Sequence, residues 1–134
     1  MTRTPQFFNL LADKEQSYCM SIAVRAGDFV FIGGLTAIDN LGNEIHADDA
    51  ALQMKRIYEI LGQILHKFGG TPQSIVSETI YYSVDDDTFN ETLFPHRQAF
   101  FGDVGPSVAG MRVVSFTSPA IRVETTAIAY IPEA

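Results

Sequence analysis

Apolar residues recur at three- and four-residue spacing across residues 49–68. Met54, Ile57, Leu61, Ile64, Leu65 and Phe68 fall on one stripe, with Gln53, Arg56, Glu59, Gln63 and Lys67 on the other side. That period predicts an amphipathic helix whose stripe joins a core. Asp48 or Asp49 can cap its start, and Gly69 offers a left-handed residue past its end. Ahead of it, Ile22-Ala23-Val24 and Phe29-Val30-Phe31-Ile32 flank Arg25-Ala26-Gly27-Asp28 and read as a hairpin. The second run does not alternate, so it needs cover on both faces, one from the chain's own helices and one from another subunit. Gly33-Gly34 then marks a bend, a bulge or a close approach to the backbone, and Asn40-Leu41-Gly42-Asn43 a turn.

Past a Thr71-Pro72 turn, residues 74–84 read as a strand, with Ser77, Thr79, Tyr81 and Ser83 on one face and Val76, Ile80, Tyr82 and Val84 on the other. Thr88-Phe89-Asn90-Glu91 has the form of a capping box, and Pro95 should interrupt the helix it starts. The restarted piece ends at Gly102. Residues 108–116 read as extended after Gly105-Pro106. In the last strand, residues 121–131, Arg122, Glu124, Thr126 and Ile128 alternate with Ile121, Val123, Thr125 and Ala127. Strands and helices mix without a regular βαβα order, which predicts an α+β domain. Residues 1–17, ending Asp13-Lys14-Glu15-Gln16-Ser17, read as an exposed arm on a single domain spanning 1–134.

The chain has 134 residues, enough for one domain of ordinary size. Nine basic against 16 acidic residues leave a net charge of −7, which opposes nucleic acid and anionic membrane surfaces as partners. Residues 1–9 carry Arg3 but no apolar run, and no stretch reaches the length of a membrane span, so a cytoplasmic protein is expected. The single cysteine, Cys19, excludes an intrachain disulfide and reads as a small buried thiol, with a reactive nucleophile as the other reading.

Nucleophile-elbow, P-loop, dinucleotide and zinc motifs are missing, and His46, His66 and His96 follow no ligand spacing. Asp85-Asp86-Asp87 lacks the spacing of a calcium loop and reads as a solvated turn. No metal or organic cofactor is expected. Glu124 stands out, because a carboxylate amid apolar and β-branched residues costs free energy unless paired or functional. It either pairs with Arg122 or Arg112, or lies at an exposed edge, or has a raised pKa and handles water or a proton. Arg112 is the complementary candidate, able to grip a carboxylate through two parallel hydrogen bonds.

Val24-Arg25-Ala26-Gly27-Asp28-Phe29-Val30-Phe31, then Gly34, Glu44-Ile45, the strand at 74–84, Phe100-Phe101-Gly102, Gly105-Pro106 and Glu124-Thr125-Thr126-Ala127-Ile128-Ala129 follow one another in an order that resembles the Rid (reactive intermediate deaminase, YjgF/RidA-type) family. The resemblance covers about residues 20–130. It implies a chorismate-mutase-like α+β fold, a mixed sheet with two helices on one face. It also implies a homotrimer with ligand clefts between subunits, and cofactor-free hydrolysis of enamines and imines to ammonia and a keto acid.

Glu124 falls on the family's water-holding glutamate. The arginine that grips the substrate carboxylate is replaced by Val108. The cleft tyrosine falls at Met20, with Tyr18 two residues earlier; the Ser-Gly-Gln string reads Gly33-Gly34-Leu35; and the helix asparagine falls near Phe94. A pocket lined by Met20, Leu35, Phe94 and Val108 is expected to prefer an apolar ligand. Residues 108, 110 and 112 share a strand face, so Arg112 is expected either to lean back as a substitute anchor or to pair with Glu124. The resulting expectation is a divergent hydrolase or deaminase of an enamine, imine or related unsaturated small metabolite. Glu124 would position water, and amides at Gly33 and Gly34 would meet developing negative charge. The alternative is a non-catalytic trimer that binds a small metabolite or acts as an interaction protein.

Overall fold

The stripe predicted for residues 49–68 closes the core in the computed structural model, which describes residues 4–133. Helix α2 (Ala50–Lys67) starts at Asp49, whose carboxylate accepts from the Leu52 amide at 3.0 Å, and Gly69 follows it with φ 81°. Met54, Ile57, Leu61 and Ile64 are fully buried. Burying each such side chain contributes about 1.5–3 kcal/mol, and the stripe fixes which face of the sheet the helix covers.

That sheet has six strands in the order β1-β2-β3-β6-β4-β5. They are β1 (Gln6–Phe8), β2 (Ala23–Ala26), β3 (Phe29–Leu35), β4 (Ile75–Tyr82), β5 (Ser107–Arg112) and β6 (Val123–Tyr130). Only β4 and β5 are parallel; the other neighbours are antiparallel. The covered face buries Val30, Ile32, Ile80, Val123, Ala127 and Ala129 against α2 and α4 (Phe94–Phe101). The resulting α+β architecture, with helices on one face of a mixed sheet, is the one the sequence implied. The other face carries Phe29 and Phe31, still 43% and 47% exposed, with Tyr130 and Ile128 beside them in register.

Several local expectations are corrected. Residues 6–17 are not a free arm: Gln6–Phe8 pairs with β2, and Ala12–Ser17 forms a short helix, α1. The Phe8 ring meets Phe68 edge-on at 5.7 Å, which holds this stretch down. Residues 1–3 of the expected arm lie outside the described residues. Arg25 belongs to β2 rather than to the turn. It is buried and donates to the Ile131 and Phe68 carbonyls at 2.7 and 3.2 Å. Gln53, assigned to the polar side of α2, is only 3% exposed. Its amide donates to the His46 and Ala120 carbonyls and accepts from the Arg122 amide, so three backbone groups satisfy it.

In β4 a register shift between Ile75 and Ser77 turns Val76 outward, away from the face shared by Ile80. The second helical stretch is capped by Asp85, which accepts from the Thr88 amide, instead of by Thr88. A single α-turn, α3 (Asp86–Thr88), leads into a π-helical turn over Phe89–Leu93 and then α4. Pro95 has no amide to give the preceding turn and its ring needs room there, so the helix widens before it restarts. Strand β5 stops at Arg112, short of residue 116, and is exposed throughout. Cys19 is exposed at φ 56° and is not a core thiol.

Candidate functional site

Glu124 lies near the start of β6 on the uncovered face, directly across from Tyr81 of β4. Neither arginine expected beside it is there. The Arg122 guanidinium is held by the Asp48 carboxylate and by the Pro119 and Ile121 carbonyls. Arg112 is in register with Tyr82, one residue on from Glu124's neighbour, so strand alternation sends it to the opposite face. There its charge acts on Tyr82 and Asp85. Among the described residues, no hydrogen bond or ion pair reaches the Glu124 carboxylate. It is half-buried, and burial alone holds its pKa above the usual carboxylate range.

The register shift between Ile32 and Leu35, at Gly33-Gly34 of β3, brings backbone against this carboxylate. Gly34 has φ 25°, and a β-carbon there would stand 3.3 Å from Glu124 Oε1. Glycine is what lets the two strands meet at this point.

A cleft of about 550 Å³ opens beside the pair, walled by Tyr18, Met20, Ile22, Gly34, Ile121 and Glu124. Helix α1 and the turn after it supply its outer wall. Glu15 Oε1 and Oε2 accept from the Leu10 and Leu11 amides, tying off the start of α1. Lys14 Nζ donates to the Gly42 carbonyl at 2.9 Å. Asp39 shapes the turn under that carbonyl by accepting from the Leu41 and Asn43 amides. Gly42, at φ 85°, holds a backbone conformation that strains other residues, and a β-carbon there would also push aside Leu11 Cδ1, 2.5 Å away. A second depression of about 410 Å³, with Tyr81, Phe116 and Thr117, flanks Glu124 on its other side.

Tyr18, Met20, Gly34 and Glu124 are therefore brought together as anticipated. Four other candidates lie outside this cleft as a single chain forms it. Gly33 borders a shallow hollow of the uncovered face with Phe31 and Ile128, and its amide already donates to the Ile22 carbonyl at 3.1 Å, so it has no donor left for an anion. Leu35 is 2% exposed, part of the core. Phe94 lies exposed at the start of α4, and Val108 on edge strand β5 opposite Glu78.

Glu78 was overlooked in the sequence. It is 1% exposed in β4, and its carboxylate accepts from Tyr58 Oη and Arg97 Nε, each at 2.9 Å. Burial raises the pKa of Glu78, and Arg97 opposes the rise; burial beside Glu78 likewise raises that of the Tyr58 hydroxyl. Arg97 also lies over the Phe101 ring at 4.9 Å. The signal was present in the sequence: Glu78 shares its strand parity with Ile80. Among the described residues no cluster of His, Cys, Asp and Glu could hold a metal ion, and no helix is long and apolar enough to cross a membrane.

The chain is similar to a RutC family protein of Pyrococcus abyssi, 30% identical over 82% of this chain and 84% of that one. A RutC family protein of Pyrococcus horikoshii is 29% identical over 82% of this chain and 85% of that one. The fold matches the crystal structure of a YjgF/YER057c/UK114 family member from Mycobacterium tuberculosis with a TM-score of 0.80. That match has 23% identity and covers 96% of this chain and 100% of that one. RidA from an Antarctic Psychrobacter aligns with a TM-score of 0.74 and 23% identity, over 83% and 87% of the two chains. The model of the family described as Endoribonuclease L-PSP matches residues 12–131, and with that span, these relatives and this fold, the chain belongs to the Rid/YjgF family.

Proposed function

We propose that the protein is a cofactor-independent hydrolase of an enamine, imine or related unsaturated nitrogen-bearing metabolite. The observation that carries this reading is the Glu124 carboxylate, half-buried beside Gly34, without a cationic partner among the described residues and with its pKa raised by burial. A carboxylate whose pKa is raised by burial is a stronger base than an ordinary surface carboxylate. Glu124 takes a proton from water as the water oxygen bonds to the imine carbon, and that proton passes to the nitrogen. The C–N bond of the resulting carbinolamine then breaks as its hydroxyl proton passes, by way of Glu124, to the leaving nitrogen, releasing ammonia and a carbonyl compound. An enamine first gains a proton at carbon and gives one up from nitrogen, and the imine so formed joins the same course. A homotrimer belongs to this reading: the half-exposed Phe29, Phe31 and Tyr130 give the uncovered face the apolar character of a subunit contact.

A non-catalytic metabolite-binding trimer is the second reading. It is favoured by Val108 at the family's arginine position and by Arg112 on the far face of the sheet. Ammonia release from a panel of enamines and imines separates the two. Turnover lost in Glu124→Gln supports the hydrolase, and no release from any of them supports the binder.

A further inference from the structure

Among the described residues four charged side chains line the Glu124 cleft, and three of them are acidic: Glu15, Glu44 and Glu124, against Lys14. Their engagements differ. Glu15 is turned to the Leu10 and Leu11 amides, and Glu44 accepts from Ser118 Oγ at 2.7 Å. Lys14, the only cation lining the cleft among the described residues, has its ammonium on the Gly42 carbonyl. Glu124 is the one carboxylate of the three with no hydrogen bond or ion pair among the described residues, and no arginine of those residues lines the space around it.

From this inventory we infer that the cleft selects a ligand carrying a protonated nitrogen on an apolar or aromatic body, and disfavours carboxylates of the same size. The inference rests on the reading of this cleft as the ligand site, and it names the ligand class. A carboxylate placed against Glu124 would set like charges together in a partly desolvated space, which disfavours it. An ammonium there gains the ion pair that Glu124 lacks. Tyr18 adds an aromatic ring to the wall, a group that attracts cations, while Met20, Ile22 and Ile121 accept the apolar body.

The test is a matched pair of probes, phenethylamine and 3-phenylpropionate, titrated near neutral pH into the full chain and into Glu124→Gln, with binding followed by amide chemical shifts. The same spectra report whether the variant is folded, and Gln keeps the size and shape of Glu. The wild type is expected to bind the amine about ten-fold or more tightly than the acid, with shifts at Tyr18, Gly34 and Glu124. In Glu124→Gln that preference should shrink to about two-fold or less. Equal or tighter binding of the acid, a preference that survives the substitution, or no binding of either probe at millimolar concentration would each overturn the inference. The outcome is separable from hydrolysis, because no turnover is read. Amine selection without ammonia release upholds the ligand class and sinks the hydrolase, whereas Glu124-dependent turnover together with acid selection does the reverse.

Discussion

Gly34 and Glu124, on adjacent strands, are packed so closely that a β-carbon on the first would stand 3.3 Å from Oε1 of the second. Gly34→Ala must therefore both displace the carboxylate and hold alanine at φ 25°. Strain of that kind costs about 1–3 kcal/mol. Urea denaturation should show a loss in that range, and any Glu124-dependent binding or turnover should fall with it. Unchanged stability and activity would mean that the close approach is relaxed in solution.

Glu124→Gln should stabilise the protein at neutral pH. Burial raises the Glu124 pKa in the folded chain, so the folded state holds this proton more tightly than the unfolded state does. The stability linked to that proton is fully present below the unfolded pKa, and it is lost as pH rises through the folded one. The neutral glutamine avoids that loss. Thermal melts should put the variant above wild type near pH 7, with the gap closing toward about pH 4, the ordinary carboxylate range. A lower melting point at neutral pH would indicate that Glu124 is paired in solution.

Arg97→Met removes the only cation bonded to buried Glu78 among the described residues. A charge stranded in this way typically costs about 3–5 kcal/mol. The double variant Arg97→Met with Glu78→Gln should recover much of the loss, since an amide can still accept from Tyr58 without carrying charge. Denaturant midpoints of the three proteins decide it, and a mild single variant would show that water reaches Glu78.

Light scattering should give wild type the mass of three chains. Phe31→Glu, which puts a charge in the middle of the uncovered face, should give the mass of one with its circular dichroism retained. A wild-type monomer at micromolar concentration would remove the subunit contact from the functional reading.

Much of the fold was legible because alternation and helical period survive in a single segment. The stripe of α2, the two faces of β6 and the β2–β3 hairpin all follow from side-chain spacing alone. Gln53 was misread because a polar side chain can lie in a core when backbone groups meet all its atoms. Arg112 was misplaced for a different reason. Its parity within β5 was right, but only the register across β4 decides whether that parity matches Glu124's, and no local pattern encodes register between strands far apart in sequence. The α1 wall of the cleft escaped notice because Lys14 and Glu15 make their bonds to backbone, which leaves a sequence that looks merely solvated.

The π turn at Phe89–Leu93 has a consequence for alignment along the second helical stretch. Positions four apart on an ordinary α-helix drift by about 40° per step at 3.6 residues per turn. Phe89, Leu93, Arg97 and Phe101 form such a series, and over three steps they would spiral away from the sheet. One widened turn rewinds that drift at its first step, between Phe89 and Leu93, and so sets the phase at which α4 starts, with Leu93 and Phe101 in the core and Arg97, between them, on Glu78. The extra residue works as a phase correction: shortening residues 89–93 by one position would restore a regular ladder and swing the guanidinium off the carboxylate it neutralises.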